Sequence, residues 1–299
     1  GDALADMLRH YHLGDTLSDA VALRFAEALR YYLVVGGMPA AVDAYVQGAP
    51  LMDVQRAQSS IVATLQDDFA KYGSRAQQEV LRQAYRYVAH SAGRKIKYSN
   101  ISPDRRAADV RRALDLLADS RTVHLVHHCS ANGVPLGAEA SDKHFKALFM
   151  DTGLAHQVCG LGLVPPAALV SVNEGAVAEQ FVGQELVASA EPFQATPLFY
   201  WHREARNAND EVDYVMSIGL DVLPVEVKAA RSGALRSVFQ FLREKRRSKA
   251  LRLYMGPPGI ETLKLPGDPA TAVDVLSLPL YLAGQVRRLA AEFCGVAPQ

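Results

Sequence analysis
The sequence predicts an α+β chain: a helical first half that closes on a two-stranded β wing, then an α/β domain in the order αβββαβ. Three observations predict it. Apolar residues recur every three to four positions through the first 120 residues. Alternating apolar stretches separated by polar turns follow residue 196. Between the two regimes, "LGLVPPAAL" (161–169) carries Pro165 and Pro166, which stop regular structure and mark the best domain boundary.

From Leu17 to about Val46 the pattern is helical, interrupted by "GGMP" (36–39), where two glycines end one helix and a proline opens the next. Residues 51–72 read as a further helix. In 76–92, Val80, Ala84 and Val88 share one face, and Gly93 stops the run. "AADVRRALDLLADS" puts Val110, Ala113, Leu114 and Leu117 on one side of a helix, with Arg111 and Arg112 pointing elsewhere. "TVHLVHHC" and "KHFKALFMD" then read as strands around a turn-rich excursion. Helix, short helix, helix and a two-stranded wing is the order of a winged helix.

Beyond the prolines, a helix starting near Asn173 precedes the strands "PLFYWHR", "EVDYVMSI" and "VLPVEVKA". The helix "GALRSVFQFLREKRR", the strand "ALRLYM" and a closing helix over "SLPLYLAGQVRRLAAEF" follow. The expected organisation is therefore a helical region at 1–75, a winged-helix-like domain at 76–163 and an α/β domain at 164–299.

Composition sets outer limits. At 299 residues, 49 % hydrophobic and 21 % charged, the chain can bury a substantial core. Lys plus Arg equals Asp plus Glu at 32 each, so only local clustering can indicate a polyanionic partner. Cys129, Cys159 and Cys294 are odd in number and far apart, which argues against a disulfide framework and fits a reducing, cytoplasmic setting. No run approaches the roughly 18 apolar residues of a membrane span, so no membrane partner is expected. The chain opens on a helical pattern without an initiator Met, as though it continues from a preceding segment.

The chemistry lies in "EVDYVMSIGLDVLPVEVKAA" (211–230). Charges in apolar strands are costly unless something compensates them. Glu226 and Lys228 are two apart, hence on one strand face, and Asp213 stands a strand and a tight turn upstream, near the same level. Two carboxylates held close repel unless a cation sits between them. A hard dication, Mg²⁺ or Mn²⁺, suits oxygen ligands and can activate a water, with Lys228 orienting that water or offsetting charge on a phosphate. A third carboxylate is expected from the preceding helix. Glu179, flanked at i−4 and i+4 by Gly175 and Gly183, is preferred over Glu185. The plainer alternative is a solvated or salt-bridged strand end. Of the nine lysines, only Lys228 has an acid two residues before it.

Glu179, Asp213 and Glu226-x-Lys228 in αβββαβ order resemble the PD-(D/E)XK nuclease superfamily, with Val212 in place of the motif's proline. "GGMP", "FMDTGL" (149–154), "EGAVAEQFVGQEL", "FYWHREARNANDEVDYV" and "LPVEVK" together resemble the DUF4143 C-terminal region of bacterial and archaeal AAA-type ATPases, across nearly the whole chain. The resemblance implies a restriction-endonuclease-like fold and an ATPase module N-terminal to this region. No GxxxxGK[ST] loop occurs here, so no ATP site is expected in this chain.

Two basic clusters suit a phosphate backbone. Residues 231–252 hold eight cations, among them Arg231, Arg236, Arg243, Arg246 and Arg247, against the single anion Glu244. Residues 94–121 hold eight cations against four anions, with Arg111 and Arg112 the expected DNA contacts. An exposed helix end and a packing-only wing are the respective alternatives. Strand alternation splits His124, His127, His128 and Cys129 across two faces, so no zinc site is expected. Asp151 reads as a helix N-cap, and Tyr200 and Trp201 as sheet residues. The expected function is a metal-dependent DNA phosphodiesterase module, with the capacity to form a homo-oligomer. The alternative is a non-catalytic module of the same fold that binds nucleic acid or a protein partner for an ATPase.

Overall fold
A computed structural model describes residues 2–161, 174–191, 193, 196–204 and 209–296. The helices are α1 (Asp2–Arg9), α2 (Asp19–Val35), α3 (Pro39–Val46), α4 (Leu51–Asp68), α5 (Arg75–His90), α6 (Tyr98–Ile101), α7 (Ala107–Asp119), α8 (Thr152–Val158), α9 (Glu174–Ala188), α10 (Arg236–Lys245) and α11 (Val286–Cys294). The strands are β1 (Val123–Cys129), β2 (Ala140–Phe149), β3 (Leu198–His202), β4 (Glu211–Ile218), β5 (Asp221–Val227), β6 (Lys249–Tyr254), β7 (Gly259–Leu265) and β8 (Asp268–Pro279). The architecture is mixed α+β, with a helical N-terminal region and an eight-stranded sheet of order β2-β1-β3-β4-β5-β6-β8-β7. Asn173 and the proline pair of the expected boundary lie outside the described residues.

The chain forms two compact units, each discontinuous in sequence. The first comprises Gly1–Leu29, Val126–Lys143 and Glu185–Gln299, the second Arg30–Leu125 and His144–Gln184.

In the second unit, α5 and α7 carry the core. Val80, Leu81, Ala84, Tyr85 and Val88 of α5 recur at helical spacing and are buried with Val110, Ala113, Leu114 and Leu117 of α7. Each fully buried Leu or Val stabilises by about 1.5–3 kcal/mol, so these two stripes outweigh any helix propensity. A capping box starts α5, with the Ser74 N–H donating to Gln77 Oε1 at 2.7 Å. The chain leaves α5 through Gly93 at φ +75° and pairs with β2 at Lys95, where Ile96 N–H donates to the Phe145 carbonyl at 2.9 Å. The "GGMP" and "FMDTGL" stretches meet here. Asp151 caps α8 by accepting from Leu154 N–H at 2.9 Å, and its other oxygen accepts from Gly37 N–H at 2.7 Å. On α9, Gln180 exchanges two 2.8 Å hydrogen bonds with the backbone of Phe149, and Gln184 accepts from Thr152 N–H at 2.9 Å.

In the first unit β3, β4 and β5 are antiparallel neighbours, while β6 pairs parallel with both β5 and β8. α10 buries Val238, Phe241 and Leu242 against Phe199, Trp201, Val212, Val215 and Val222, with Trp201 and Phe241 edge to face at 5.3 Å. Tyr200 and Trp201 are both buried sheet residues.

One expectation needs correction: "SLPLYLAGQVRRLAAEF" is not one helix, and its first residues complete the β7–β8 hairpin. Residues 277–279 end β8, Leu280–Gln285 form a 3-10 turn, and α11 begins at Val286. The physical reason is parallel pairing with β6, which buries Val275, Leu276, Ser277 and Leu278 consecutively, so the strand loses the alternation of a half-exposed one. β7 is an exposed edge strand carrying Glu261 and Lys264, charges that discourage further pairing.

Candidate active site
Three of the predicted site residues converge in the first unit. Glu226 lies in β5 and is 5 % exposed, and Lys228 follows the strand's end. Lys228 Nζ donates to Glu226 Oε1 at 2.5 Å, the pair expected from a two-residue strand spacing. The β4–β5 ladder ends with Tyr214 opposite Val225, and one further step sets Asp213 across from Glu226. There the Asp213 side chain takes over from the backbone, its Oδ2 accepting from Val227 N–H at 2.8 Å.

A bulge places that carboxylate. β3 and β4 pair at Phe199–Val215 and again at Trp201–Val212, so Asp213 and Tyr214 together stand opposite Tyr200 alone. An extra residue in one strand bends it and re-aims a side chain, which is how bulges commonly serve functional sites. Gly233 completes the wall: a β-carbon there would lie 2.9 to 3.1 Å from three carbons of the Lys228 stem. The loop after β5 thus packs on the lysine and holds it towards Glu226.

Glu179 belongs to the second unit. Its Oε1 accepts from Lys146 Nζ at 2.7 Å, with the Lys146 side chain 1 % and the Glu179 side chain 13 % exposed. What approaches Glu179 there is Gly93, where a β-carbon would fall 2.4 Å from Oε2. Lys146 is the partner that sequence reasoning missed. An alternating "KHFKALF" signals that a lysine shares a strand face with apolar residues, but not which acid it meets. Glu185 belongs to the first unit, its Oε2 close against Gly284.

The cations separate into engaged and open groups. Arg111 donates to Asp115 Oδ1 at 2.8 Å and lies 5.3 Å from the Phe145 ring, whereas Arg112, one residue on, is exposed. On α10 and beyond, Lys245 donates to Asn132 Oδ1 at 2.9 Å, Arg247 to the Asn132 carbonyl at 2.8 Å, and Arg243 to the Pro266 carbonyl. These acceptors are neutral, so the local positive charge persists. Arg236 is 88 % exposed and 3.6 Å from Asp210, and Arg231 and Arg246 are exposed. Arg252, the cross-strand partner of Glu226, stacks 4.3 Å from the Tyr254 ring and donates to Ser277 Oγ at 3.0 Å.

Burial and the nearby Arg121 push His124 below its ordinary pKa, and burial pushes the Cys129 thiol up to about 12. His128 packs its ring 4.1 Å from that of His202. Among the described residues, no three His, Cys, Asp or Glu side chains are arranged as a metal cage. Asp213 and Glu226 offer a pair of hard oxygen donors beside an ammonium, a donor set that fits Mg²⁺ or Mn²⁺ rather than a soft metal.

Residues 174–281 match the family model described as "Domain of unknown function (DUF4143)", and residues 26–164 match the one described as "Domain of unknown function (DUF8612)". The motifs "GGMP" and "FMDTGL" therefore fall in the second of these matches, not in the DUF4143 segment. Comparison with curated proteins and with solved structures returns no match.

Proposed function
We propose that this chain is a metal-dependent DNA phosphodiesterase module of the PD-(D/E)XK type, built from a winged-helix-like segment and a restriction-endonuclease-like domain, and that it works beside an AAA-type ATPase module. The observation that carries the reading is the convergence of Asp213, Glu226 and Lys228 at a bulged strand pair. Asp213 and Glu226 would hold the divalent ion, which when bound supplies Lewis-acid stabilisation and a more acidic water. Lys228 holds its ammonium at Glu226 and lies where it can orient a water or offset charge on a phosphoryl oxygen. The Gly233 loop fixes the lysine stem, so the ammonium need not be ordered at each turnover. Cations held on neutral carbonyls around α10 supply the field that draws a phosphate backbone.

A second reading rests on the same distances. The carboxylates already have internal partners, Val227 N–H for Asp213 and Lys228 for Glu226, as befits a non-catalytic module that binds nucleic acid or a protein partner. The experiment is cleavage of plasmid and single-stranded DNA under Mg²⁺ and Mn²⁺ titration, with Asp213→Ala alongside. Metal-dependent cutting that Asp213→Ala abolishes supports the hydrolytic reading. Cutting that the variant leaves unchanged removes it and leaves the binding module.

A further inference from the structure
The second unit holds a cleft of its own, in residues that take no part in the Asp213–Glu226–Lys228 cluster. The cleft, of about 480 Å³, opens between the start of α5 and the exposed side of α7. Its floor is apolar, from Val80, Leu81, Ala113 and Leu116, and its rim carries Tyr72, Lys71, Arg105 and Arg112, with Asp109 the one anion. The volume lies within the roughly 300–1,000 Å³ of small-molecule sites. We infer that this cleft takes one nucleotide, its phosphate on Arg105 and Arg112 and its base against Tyr72 and the apolar floor.

Four features support that ligand. Arg105 and Arg112 make no side-chain hydrogen bond or ion pair among the described residues, whereas the neighbouring Arg111 is committed to Asp115 and Phe145. Lys71 pairs with Asp68 at 2.6 Å, but both are largely exposed, and such a pair yields readily to a phosphate. Tyr72 lines the cleft and is 43 % exposed, an accessible aromatic of the kind on which a base stacks. The start of α5 is not itself the anion site, because the capping box already uses Ser74 N–H and Gln77 N–H. A free anion would need only the arginines, and the apolar floor is what selects a nucleotide. A duplex cannot enter a concavity of this size, so the cleft favours an unstacked base, from a single strand or from a free mononucleotide. The strand source deepens the DNA reading above and rests on it, while the mononucleotide source does not.

Calorimetry on the whole chain, carrying Asp213→Ala and held in chelator, separates this from cleavage. The probes are AMP, a 12-residue oligodeoxyadenylate, the corresponding duplex and inorganic phosphate. AMP or the single strand should bind, with Tyr72→Ala weakening the interaction roughly tenfold and Arg112→Ala lowering the salt slope by about one. Arg9→Ala, exposed on α1 and outside both the cleft and the two basic clusters, should change neither. AMP binding as tightly as the 12-mer identifies a free nucleotide ligand, and binding of the 12-mer alone identifies a strand. Phosphate binding as well as AMP, duplex binding more tightly than the single strand, no binding, or indifference to Tyr72→Ala and Arg112→Ala would each overturn the inference. Because the chain tested is already cleavage-defective, a loss of cutting elsewhere does not bear on this result.

Discussion

Lys228 Nζ sits 2.5 Å from Glu226 Oε1 on a carboxylate whose side chain is only 7 % exposed, while the lysine keeps 30 % of its side chain in solvent. The acid is the committed member and the base the accessible one. Removing the cation takes a counter-charge from a buried carboxylate, so Lys228→Met should destabilise the chain by on the order of 3 kcal/mol. Glu226→Gln should cost less, since the lysine can turn to water. Adding Glu226→Gln to Lys228→Met should recover most of the loss in a urea-unfolding cycle. Strict additivity of the two would show that the pair is not coupled.

Gly233 tests whether the lysine's placement matters to chemistry rather than stability. Its backbone has no left-handed requirement, so alanine brings only a β-carbon 2.9 Å from Lys228 Cδ. The stem must move by a few tenths of an ångström. Gly233→Ala should leave the unfolding midpoint within about 1 kcal/mol of wild type and, if Lys228 acts on a water, lower metal-dependent cutting several-fold. A rate unchanged beside a normal midpoint would remove Lys228 from the reaction.

The three cysteines report packing. Burial raises the thiols of Cys129, to about 12, of Cys294, to about 11, and of Cys159. Only thiolates react, so at pH 7.5 all three should alkylate far more slowly in the native chain than a free thiol does, and promptly in urea. Fast labelling of Cys129 without denaturant would show that the Cys129–Phe199–Val215 core opens locally.

The repeating patterns were the legible part. Helical spacing in 76–119 and the tight turn at 219–221 set elements in both halves, the two-residue spacing put Glu226 and Lys228 on one face, and the polar turn expected across 205–208 lies outside the described residues. What escaped had no local signature. The bulge at Asp213 exists only because β3 and β4 pair out of step, which neither strand encodes alone. Lys146 meets Glu179 across 33 residues, and Gly233 matters only because Lys228 folds back on it. β8 was hidden because a parallel strand buried on both faces loses its alternation. Arg111 and Arg112 looked alike in sequence, and only the positions of Asp115 and Phe145 distinguish them.

Asp151 gives a test with a definite sign. Its carboxylate is 3 % exposed and is held by Gly37 N–H and Leu154 N–H, yet burial outweighs those bonds and pushes its pKa up. Between the ordinary carboxylate range and that raised value, the native chain binds more protons than the unfolded one, so this group's contribution falls as pH rises through that window and is level above it. Asp151→Asn removes the titration and sets an amide N–H₂ against a backbone donor, so the variant should be less stable by about 1–2 kcal/mol. Its deficit should shrink as pH rises through the window, read as urea midpoints from pH 4 to pH 7. A deficit that grows with pH would mean the two N–H bonds win and the carboxyl titrates below its usual range. Gly36→Ala isolates the geometry from the charge. It demands φ +72° of a residue with a β-carbon and drives that carbon to 2.2 Å from Asp151 Oδ1, so it should cost roughly 3 kcal/mol at every pH tested.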